Sequence, residues 1–192
     1  MEKTTAILIA RHPLTETSLI VHWCSRECGL FKTVAKGALR AKSSFAGRLD
    51  LFVSCEVVFV RSRSSDLHIL REVHLAEARL GLRESYARVL AATYMGKLVE
   101  LVAESETPLD GVYELLLLGL DYLATHEPSL VLVERFERRL CELLGLGMAV
   151  SNAAALLSEV FHRPLPPQRE SLILTLKRNQ GCGPPESGSD FA

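Results

Sequence analysis

The sequence has no uninterrupted apolar run long enough to cross a membrane. The longest apolar stretch in its 192 residues, VYELLLLGLDYLA, is broken by Glu114 and Asp121, whereas a spanning helix needs about 20 predominantly apolar residues. The N-terminal stretch MEKTTAILIARHP is not followed by a small-residue cleavage site. We therefore expect a soluble, cytoplasmic protein with no membrane partner.

Cysteine is sparse, and its arrangement argues against a disulfide framework. Five residues, an odd number, are scattered at positions 24, 28, 55, 141 and 182, which fits a reducing compartment. The segment HWCSREC does bring His22, Cys24 and Cys28 together. A structural zinc site, however, needs four ligands, usually as two close pairs, and here the fourth would be the isolated His12 or His74. We predict no metal and no cofactor.

Enzyme signatures are missing as well. The chain contains no G-x-S-x-G, phosphate loop, H-E-x-x-H or C-x-x-C motif. Three carboxylates predicted on the outer face of the helix at 129–144, Glu134, Glu137 and Glu142, alternate with arginines at i,i+3 and i,i+4. This pattern is typical of a solvated or partner-facing helix. We predict a protein that is not an enzyme; a metal-dependent enzyme is the least supported alternative.

Charge is balanced overall but uneven along the chain. Residues 1–80 hold 12 Lys/Arg against 8 Asp/Glu, a net charge of +4, whereas residues 81–192 hold 10 against 15, a net charge of −5. This asymmetry suggests two domains with different roles, the first facing a polyanion.

Hydrophobic periodicity divides the chain near residue 80. Alternating apolar residues predict five strands in the first part: 4–10, 17–24, from the Cys28-Gly29 turn to about Gly37, 51–60 and 67–78. In the fourth strand, one face should carry Leu51, Val53, Cys55, Val57 and Phe59. In the fifth, Leu67, Ile69, Val73 and Leu75 should do so. Five short strands must close or expose their edges, and a small Greek-key barrel such as the OB-fold closes them.

After residue 80 the apolar spacing becomes helical. We predict helices at about 83–104, 109–124, 129–144 and 152–161, with 170–180 as a last helix or strand. The second is apolar nearly all round, so we place it at the centre of a bundle. Gly145 should end the third, and Ser151 or Asn152 should cap the fourth. The predicted architecture is α+β: an OB-fold domain (1–80), an all-α helical domain (81–178) and a disordered tail (179–192).

The most unusual local feature is a basic segment, TVAKGALRAKSSFAGRLD, at residues 33–50. It joins cations to small residues and hydroxyls, the combination that phosphate binding requires. Phe31 and Phe45 are candidates for base stacking; alternatively, the segment is a solvated loop whose phenylalanines plug the barrel. Eight cations lie between residues 26 and 63: Arg26, Lys32, Lys36, Arg40, Lys42, Arg48, Arg61 and Arg63.

The helical part carries a smaller basic patch in the segment ERFERRL. Arg135, Arg138 and Arg139 should lie on one exposed side of the helix, beside apolar surface. Such a patch suits an acidic peptide or another subunit, but the residues by themselves favour an ordinary charged face.

The N-terminal sequence resembles the bacterial RecO family of DNA repair proteins over about residues 4–145. The resemblance rests on Glu16-Thr17-Ser18, on Glu27 to Gly29 and on Ala35 to Ala38. It continues in order through seven further positions: Arg40, Lys42, Ser43, Phe45, Gly47, Leu49 and Phe52.

The resemblance implies a non-catalytic, nucleoid-associated recombination mediator. Such a protein binds single-stranded and double-stranded DNA, anneals complementary strands, works with RecR to load RecA, and engages the acidic tail of single-stranded DNA-binding protein through its helical domain. Carried over by position, the phosphate-binding candidates are Lys32, Lys36, Arg40 and Lys42. A secondary group comprises Arg11, Arg26, Arg48, Arg61 and Arg63, and the candidates for the acidic tail are Arg135, Arg138 and Arg139.

The sequence departs from the family pattern after LLGL. Many members have a four-cysteine zinc site there, whereas this chain has no cysteine between Cys141 and Cys182. We therefore expect that zinc site to be absent and the terminal helical region to be shortened. Two alternatives stay open: an RNA-binding OB-fold protein, and an interaction adaptor with little affinity for DNA.

Overall fold

The computed structural model describes residues 1–108, 111–147 and 152–180. Its first part contains five strands: β1 (Glu2–Pro13), β2 (Leu19–Ser25), β3 (Gly29–Ala35), β4 (Ser54–Val60) and β5 (Leu67–Glu77). The strands follow the predicted segments closely, because β-branched and aromatic residues alternate with polar ones in each.

The five strands form a closed barrel in the order β1-β2-β3-β5-β4, with β4 returning to pair with β1. All neighbours are antiparallel except β3 and β5, which run parallel. A parallel pair needs a crossover between its members, and here β4 and the long connection before it supply that crossover. This is the OB-fold that the strand count predicted.

The inward face of β5 differs from the predicted one. The structure buries His68, Leu70 and Val73, whereas Leu75 is 47% exposed. A bulge explains why His68 and Leu70, and not Leu67 and Ile69, share a face with Val73: the β4–β5 register shifts between Val58 and Phe59, and one extra residue reverses the alternation along β5. On the predicted face of the fourth strand, Val53, Cys55, Val57 and Phe59 are buried, whereas Leu51 precedes β4 and is only partly buried.

Five α-helices follow a short 3-10 helix at Leu80–Glu84: α1 (Tyr86–Val102), α2 (Val112–Thr125), α3 (Leu130–Leu143), α4 (Ala153–Val160) and α5 (Gln168–Gln180). Asn152 caps α4, its Oδ1 accepting a hydrogen bond from the Ala155 amide at 3.0 Å. Gly145 follows α3 with a φ of 71°, as expected for a glycine that ends a helix. None of the described helices is long and apolar enough to cross a membrane.

The central helix of the bundle is α1, so the prediction that α2 is the buried centre is wrong. Helix α1 packs against β1, α2 and α5. By contrast, α2 leaves Leu118 68% and Tyr122 44% exposed. Its all-round apolar sequence is explained by a second apolar surface that faces outwards rather than by complete burial.

The prediction of an outward-facing Glu137 is also wrong. Its side chain is 2% exposed, and it accepts hydrogen bonds from the Tyr94 hydroxyl at 2.6 Å and from Arg169 Nε at 2.7 Å. The carboxylate therefore joins α1, α3 and α5. Burial and this carboxylate together raise the pKa of the Tyr94 hydroxyl.

The barrel and the helices share an apolar contact. Ile7, Ile9 and Phe52 belong to the helical core, not to the barrel interior. The ring of Phe52 and the side chain of Ile9 lie against Gly96 of α1. The division into domains at residue 80 stays a prediction, and most of the predicted tail, residues 181–192, lies outside the described residues.

Candidate nucleic-acid interface

The connection between β3 and β4, residues 36–53, is a chain of tight turns held to the barrel. Its amides hydrogen bond back within the connection, for example Ser43 to the Arg40 carbonyl and Arg48 to the Phe45 carbonyl, both at 3.0 Å. The Leu39 amide also bonds the Thr17 carbonyl of the β1–β2 loop at 3.0 Å. The connection therefore has a defined shape.

Four cations of this connection are free of acidic partners. Lys36, Arg40, Lys42 and Arg48 are exposed, and none pairs with a carboxylate in the described part of the chain. Arg48 Nη1 instead donates to the Val73 carbonyl at 3.1 Å, which holds it against β5. The charge is thus available to an external anion.

Asp50 is the acidic residue of the basic segment, and other arginines engage it. Arg83 donates to its carboxylate, and Arg11 Nη2 lies 3.6 Å from it. Its Oδ1 also accepts the Leu51 amide at 2.8 Å. Asp50 therefore anchors the connection to the helical side of the molecule and does not neutralise the four free cations.

The other predicted contacts are divided between paired and free side chains. Lys32 pairs with Asp66 at 3.3 Å, Arg26 with Glu114, and Arg11 with Asp50. Arg63 is exposed in the β4–β5 loop and unpaired among the described residues. The structure thus brings Arg11 and Arg48 beside the primary segment and gives Arg26 and Lys32 acidic neighbours.

Arg61 is the most strongly paired of the predicted contacts. It forms a two-point ion pair with Glu2, at 2.7 and 2.8 Å, and also contacts Glu106. The hydrogen bonds from Arg61 lower the pKa of Glu2. This arginine therefore links the start of β1 to the segment after α1.

Sequence reasoning missed Arg71. The parallel β3–β5 ladder ends at Val34 and Ile69, so Lys36 and Arg71 each follow it by two residues and leave it at the same end. Arg71 is exposed and unpaired among the described residues. A cation inside a strand was a visible signal, but the assumed alternation of β5 assigned it to the inward face.

Neither phenylalanine proposed for base stacking is available to a ligand. Phe31 is 2% and Phe45 8% exposed. Phe31 lies inside the barrel between Trp23 and Phe59, and Phe45 closes its end together with Leu49. A cavity of about 240 Å³ beside Phe45 is lined by Arg11, Leu39 and Gly47.

The residues considered for a metal site have other partners. His22 Nδ1 lies 2.8 Å from Glu100 of α1, and burial raises the pKa of the Cys24 thiol to about 12. Over residues 1–108, 111–147 and 152–180, no three His, Cys, Asp or Glu side chains are grouped to hold a metal ion.

A second candidate surface is an apolar groove of about 350 Å³ between α2 and α3. Leu118, Tyr122 and Val131 line it and are 44–68% exposed. Arg135 and Arg139 lie at its edge, whereas Arg138 is not among the lining residues. Arg135 and Arg139 are four residues apart and therefore share one face of α3, which explains why both of them face the groove.

Two family models together match nearly the whole chain. The N-terminal model of recombination protein O matches residues 1–79, and the C-terminal model of the same protein matches residues 83–188. The chain belongs to the RecO family.

Curated relatives agree with this assignment. The chain is 31% identical to the DNA repair protein RecO of Gloeobacter violaceus over 85% of its own length and 60% of the relative's. It is 29% identical to that of a Cyanothece species over 86% and 55%, and 28% identical to that of Acaryochloris marina over 94% and 60%. The chain thus spans a little over half the length of these RecO proteins.

Both candidate surfaces lie within the residues that match the RecO models. The basic connection falls within the N-terminal match and the α2–α3 groove within the C-terminal match.

Proposed function

We propose that this protein acts in DNA repair and recombination by binding single-stranded DNA along the β3–β4 connection. The observation that supports this most directly is the group Lys36, Arg40, Lys42 and Arg48, exposed and free of carboxylates in the described part of the chain. Gly37 and Gly47, both at positive φ, let a phosphate approach the backbone closely.

The proposed activity is that of a mediator without catalytic turnover. The protein anneals complementary strands and, together with RecR, helps RecA to load onto strands coated by single-stranded DNA-binding protein. Double-stranded DNA presents the same phosphates and is a second ligand. Membership in the RecO family and the basic connection support this proposal.

The α2–α3 groove is the proposed site for the acidic C-terminal tail of single-stranded DNA-binding protein. The groove is lined mainly by apolar residues, together with Arg135 and with Arg139, which also pairs with Glu142 at 2.6 Å. An acidic peptide with apolar anchors suits both features, since charge-assisted contacts fix its carboxylates while the groove buries its side chains.

Fluorescence anisotropy of a labelled single-stranded oligonucleotide, titrated at several salt concentrations, tests DNA binding. Lys36→Ala/Arg40→Ala/Lys42→Ala should weaken binding and reduce the slope of log affinity against log salt by about 2, because about three phosphate contacts are lost. Arg138→Ala/Lys177→Ala/Arg178→Ala removes the same charge from exposed positions in the helical part and should leave the slope unchanged.

Each other result identifies a different error. If the wild type binds no DNA at moderate salt, the adaptor alternative replaces the mediator proposal. If both triple variants bind equally, DNA uses another face. A titration with RNA of the same length at the same salt concentration tests the remaining alternative, an RNA-binding OB-fold protein. Tighter binding of RNA than of DNA would favour that alternative.

A labelled acidic peptide tests the groove. Arg135→Ala should weaken its binding by about 2- to 5-fold, as expected for one solvent-exposed ion pair. Arg138→Ala removes the same charge from the same helix outside the groove. Equal losses in both variants would contradict the groove and favour a diffuse charged face.

A further inference from the structure

All five Trp and Phe side chains of residues 1–80 are buried, four of them in the barrel core and Phe52 against the helices. The structure describes every residue from 1 to 80, and none of these side chains is more than 8% exposed: Trp23, Phe31, Phe45, Phe52 and Phe59. The surface around the basic connection is therefore built from cations, small residues and aliphatic side chains.

The inward aromatics support one another and do not turn outwards singly. Trp23, Phe31 and Phe59 stack in sequence, with centroids 6.5 and 4.8 Å apart, and Phe59 stacks on His68 at 5.4 Å. Trp23 Nε1 also donates to Thr33 Oγ1 at 2.8 Å. Turning one ring outwards would break this stack and leave a cavity in a close-packed interior.

Binders of single strands ordinarily combine two kinds of contact. Cations follow the phosphates, and aromatic rings stack on successive bases, each stacked base strengthening binding by about 5- to 150-fold. The connection provides the first kind of contact through Lys36, Arg40, Lys42 and Arg48. The exposed large apolar side chain of the connection is the aliphatic Leu39, which is 53% exposed.

We infer that the barrel binds the sugar–phosphate backbone alone and leaves the bases unstacked and open to solvent. This inference rests on the proposed DNA binding and extends it by naming the ligand class: a phosphodiester strand, with or without bases. A strand held in this way presents its Watson–Crick edges to a complementary strand, which suits annealing.

The test compares two labelled oligonucleotides of equal length, oligo-dT and a strand made only of abasic residues. Anisotropy titrations at two salt concentrations should give affinities within about 2-fold of each other and equal salt slopes, because both ligands carry the same phosphates. In addition, the thymines of bound oligo-dT should react with permanganate as fast as those of the free strand.

Three results overturn the inference in distinguishable ways. Binding of oligo-dT more than about 5-fold tighter than the abasic strand means that bases are contacted, while the proposed DNA binding stands. Protection of thymines from permanganate means the same. If neither strand binds, the proposed function fails as well.

A variant with an added aromatic ring tests whether the bases of the bound strand lie close to residue 39. Leu39→Trp places a ring in the centre of the cation cluster and should raise the preference for oligo-dT over the abasic strand by at least about 5-fold. Leu174→Trp, at a 56% exposed position on α5, is the matched control and should not change it. If Leu39→Trp gives no preference, the strand does not pass over the connection with its bases near residue 39.

Discussion

The side chain of Phe45 has a structural role and not a ligand-binding one. It lies in the middle of the basic connection, where a base platform would be expected, yet it is 8% exposed and belongs to the same barrel core as Leu49 and Phe59. Its role is to hold the connection against the barrel, so that the neighbouring cations keep fixed positions.

Phe45→Ala should therefore lower the free energy of unfolding by about 3 kcal/mol, the lower end of the range for removing a buried ring. Urea unfolding followed by circular dichroism measures this change. Leu39→Ala, in the same connection but exposed, should change stability by less than about 0.5 kcal/mol. An unchanged stability of Phe45→Ala, together with a loss of DNA binding, would return Phe45 to the role of a base platform.

Comparing alanine variants of Gly29 and Gly47 distinguishes the cost of backbone strain from the cost of a steric clash. Both have positive φ, 64° and 71°. A Cβ on Gly29 would lie 2.0 Å from the Thr107 carbonyl oxygen, whereas nothing lies within 4 Å of one on Gly47. Gly47→Ala should cost about 1 kcal/mol from strain alone. Gly29→Ala should lower the free energy of unfolding by clearly more, because residues 105–107 must move as well. If thermal unfolding shows equal losses of stability for the two variants, residues 105–107 move away from the added methyl group at no cost.

At the scale of elements, α5 is attached to the bundle through a buried ion pair. The Glu137 carboxylate on α3 is 2% exposed and faces Arg169 of α5, which is 25% exposed. Helix α5 also contributes the buried Leu172 and Leu176 to the helical core. The ion pair and these leucines together determine the position of α5.

Arg169→Ala should destabilise the protein by about 3 kcal/mol, because a buried carboxylate is left without its cation. The double variant Glu137→Gln/Arg169→Ala removes both charges, keeps an acceptor for the Tyr94 hydroxyl and should recover part of that loss, as measured by urea unfolding. A single variant as stable as the wild type would mean that water reaches Glu137 and replaces the guanidinium.

The elements themselves were largely predictable, and what was missed depends on contacts between them. Period-two and helical spacing indicated the five strands and the helices, and Asn152 and Gly145 mark helix ends by local chemistry that sequence displays. The burial of Glu137 depends on Arg169, 32 residues away, and the inward face of β5 depends on a bulge against β4. Neither is encoded in the local pattern, so sequence reasoning assigned both wrongly.

The candidate site was predictable in its centre and less so at its edges. Lys36, Arg40 and Lys42 stood out because no acid lies between them. The ion pairs of Arg26 with Glu114 and Arg61 with Glu106 join residues far apart in the chain, so sequence alone gave no reason to separate these arginines from the free cations.

At the scale of the whole molecule, the barrel and the bundle meet through apolar and charged contacts. Ile9 and Phe52 pack on Gly96 of α1, and one turn further along that helix His22 of β2 lies 2.8 Å from Glu100. Lys97 also donates to Glu100, at 2.6 Å. Glu100 therefore links the two halves of the chain.

The pH dependence of stability should report this link. Burial raises the pKa of Glu100, but the hydrogen bonds from His22 and Lys97 outweigh burial and leave the pKa below its ordinary value of 4.5. A carboxyl group with a lowered pKa in the folded state stabilises it above the pKa of the unfolded chain, and this contribution is lost as the pH falls through the folded value. Glu100→Gln should therefore be less stable than the wild type at pH 7, and the difference should shrink steadily below about pH 4.5.

Urea unfolding at pH 7 and at several values below 4.5 measures this difference. Glu134→Gln is the matched control, since Glu134 is exposed on α3 and forms no ion pair in the described part of the chain, so its difference from the wild type should stay small at every pH. A Glu100→Gln difference that persists unchanged at low pH would show that the side chain stabilises the junction through packing. The charge would then have no part in joining the barrel to the bundle.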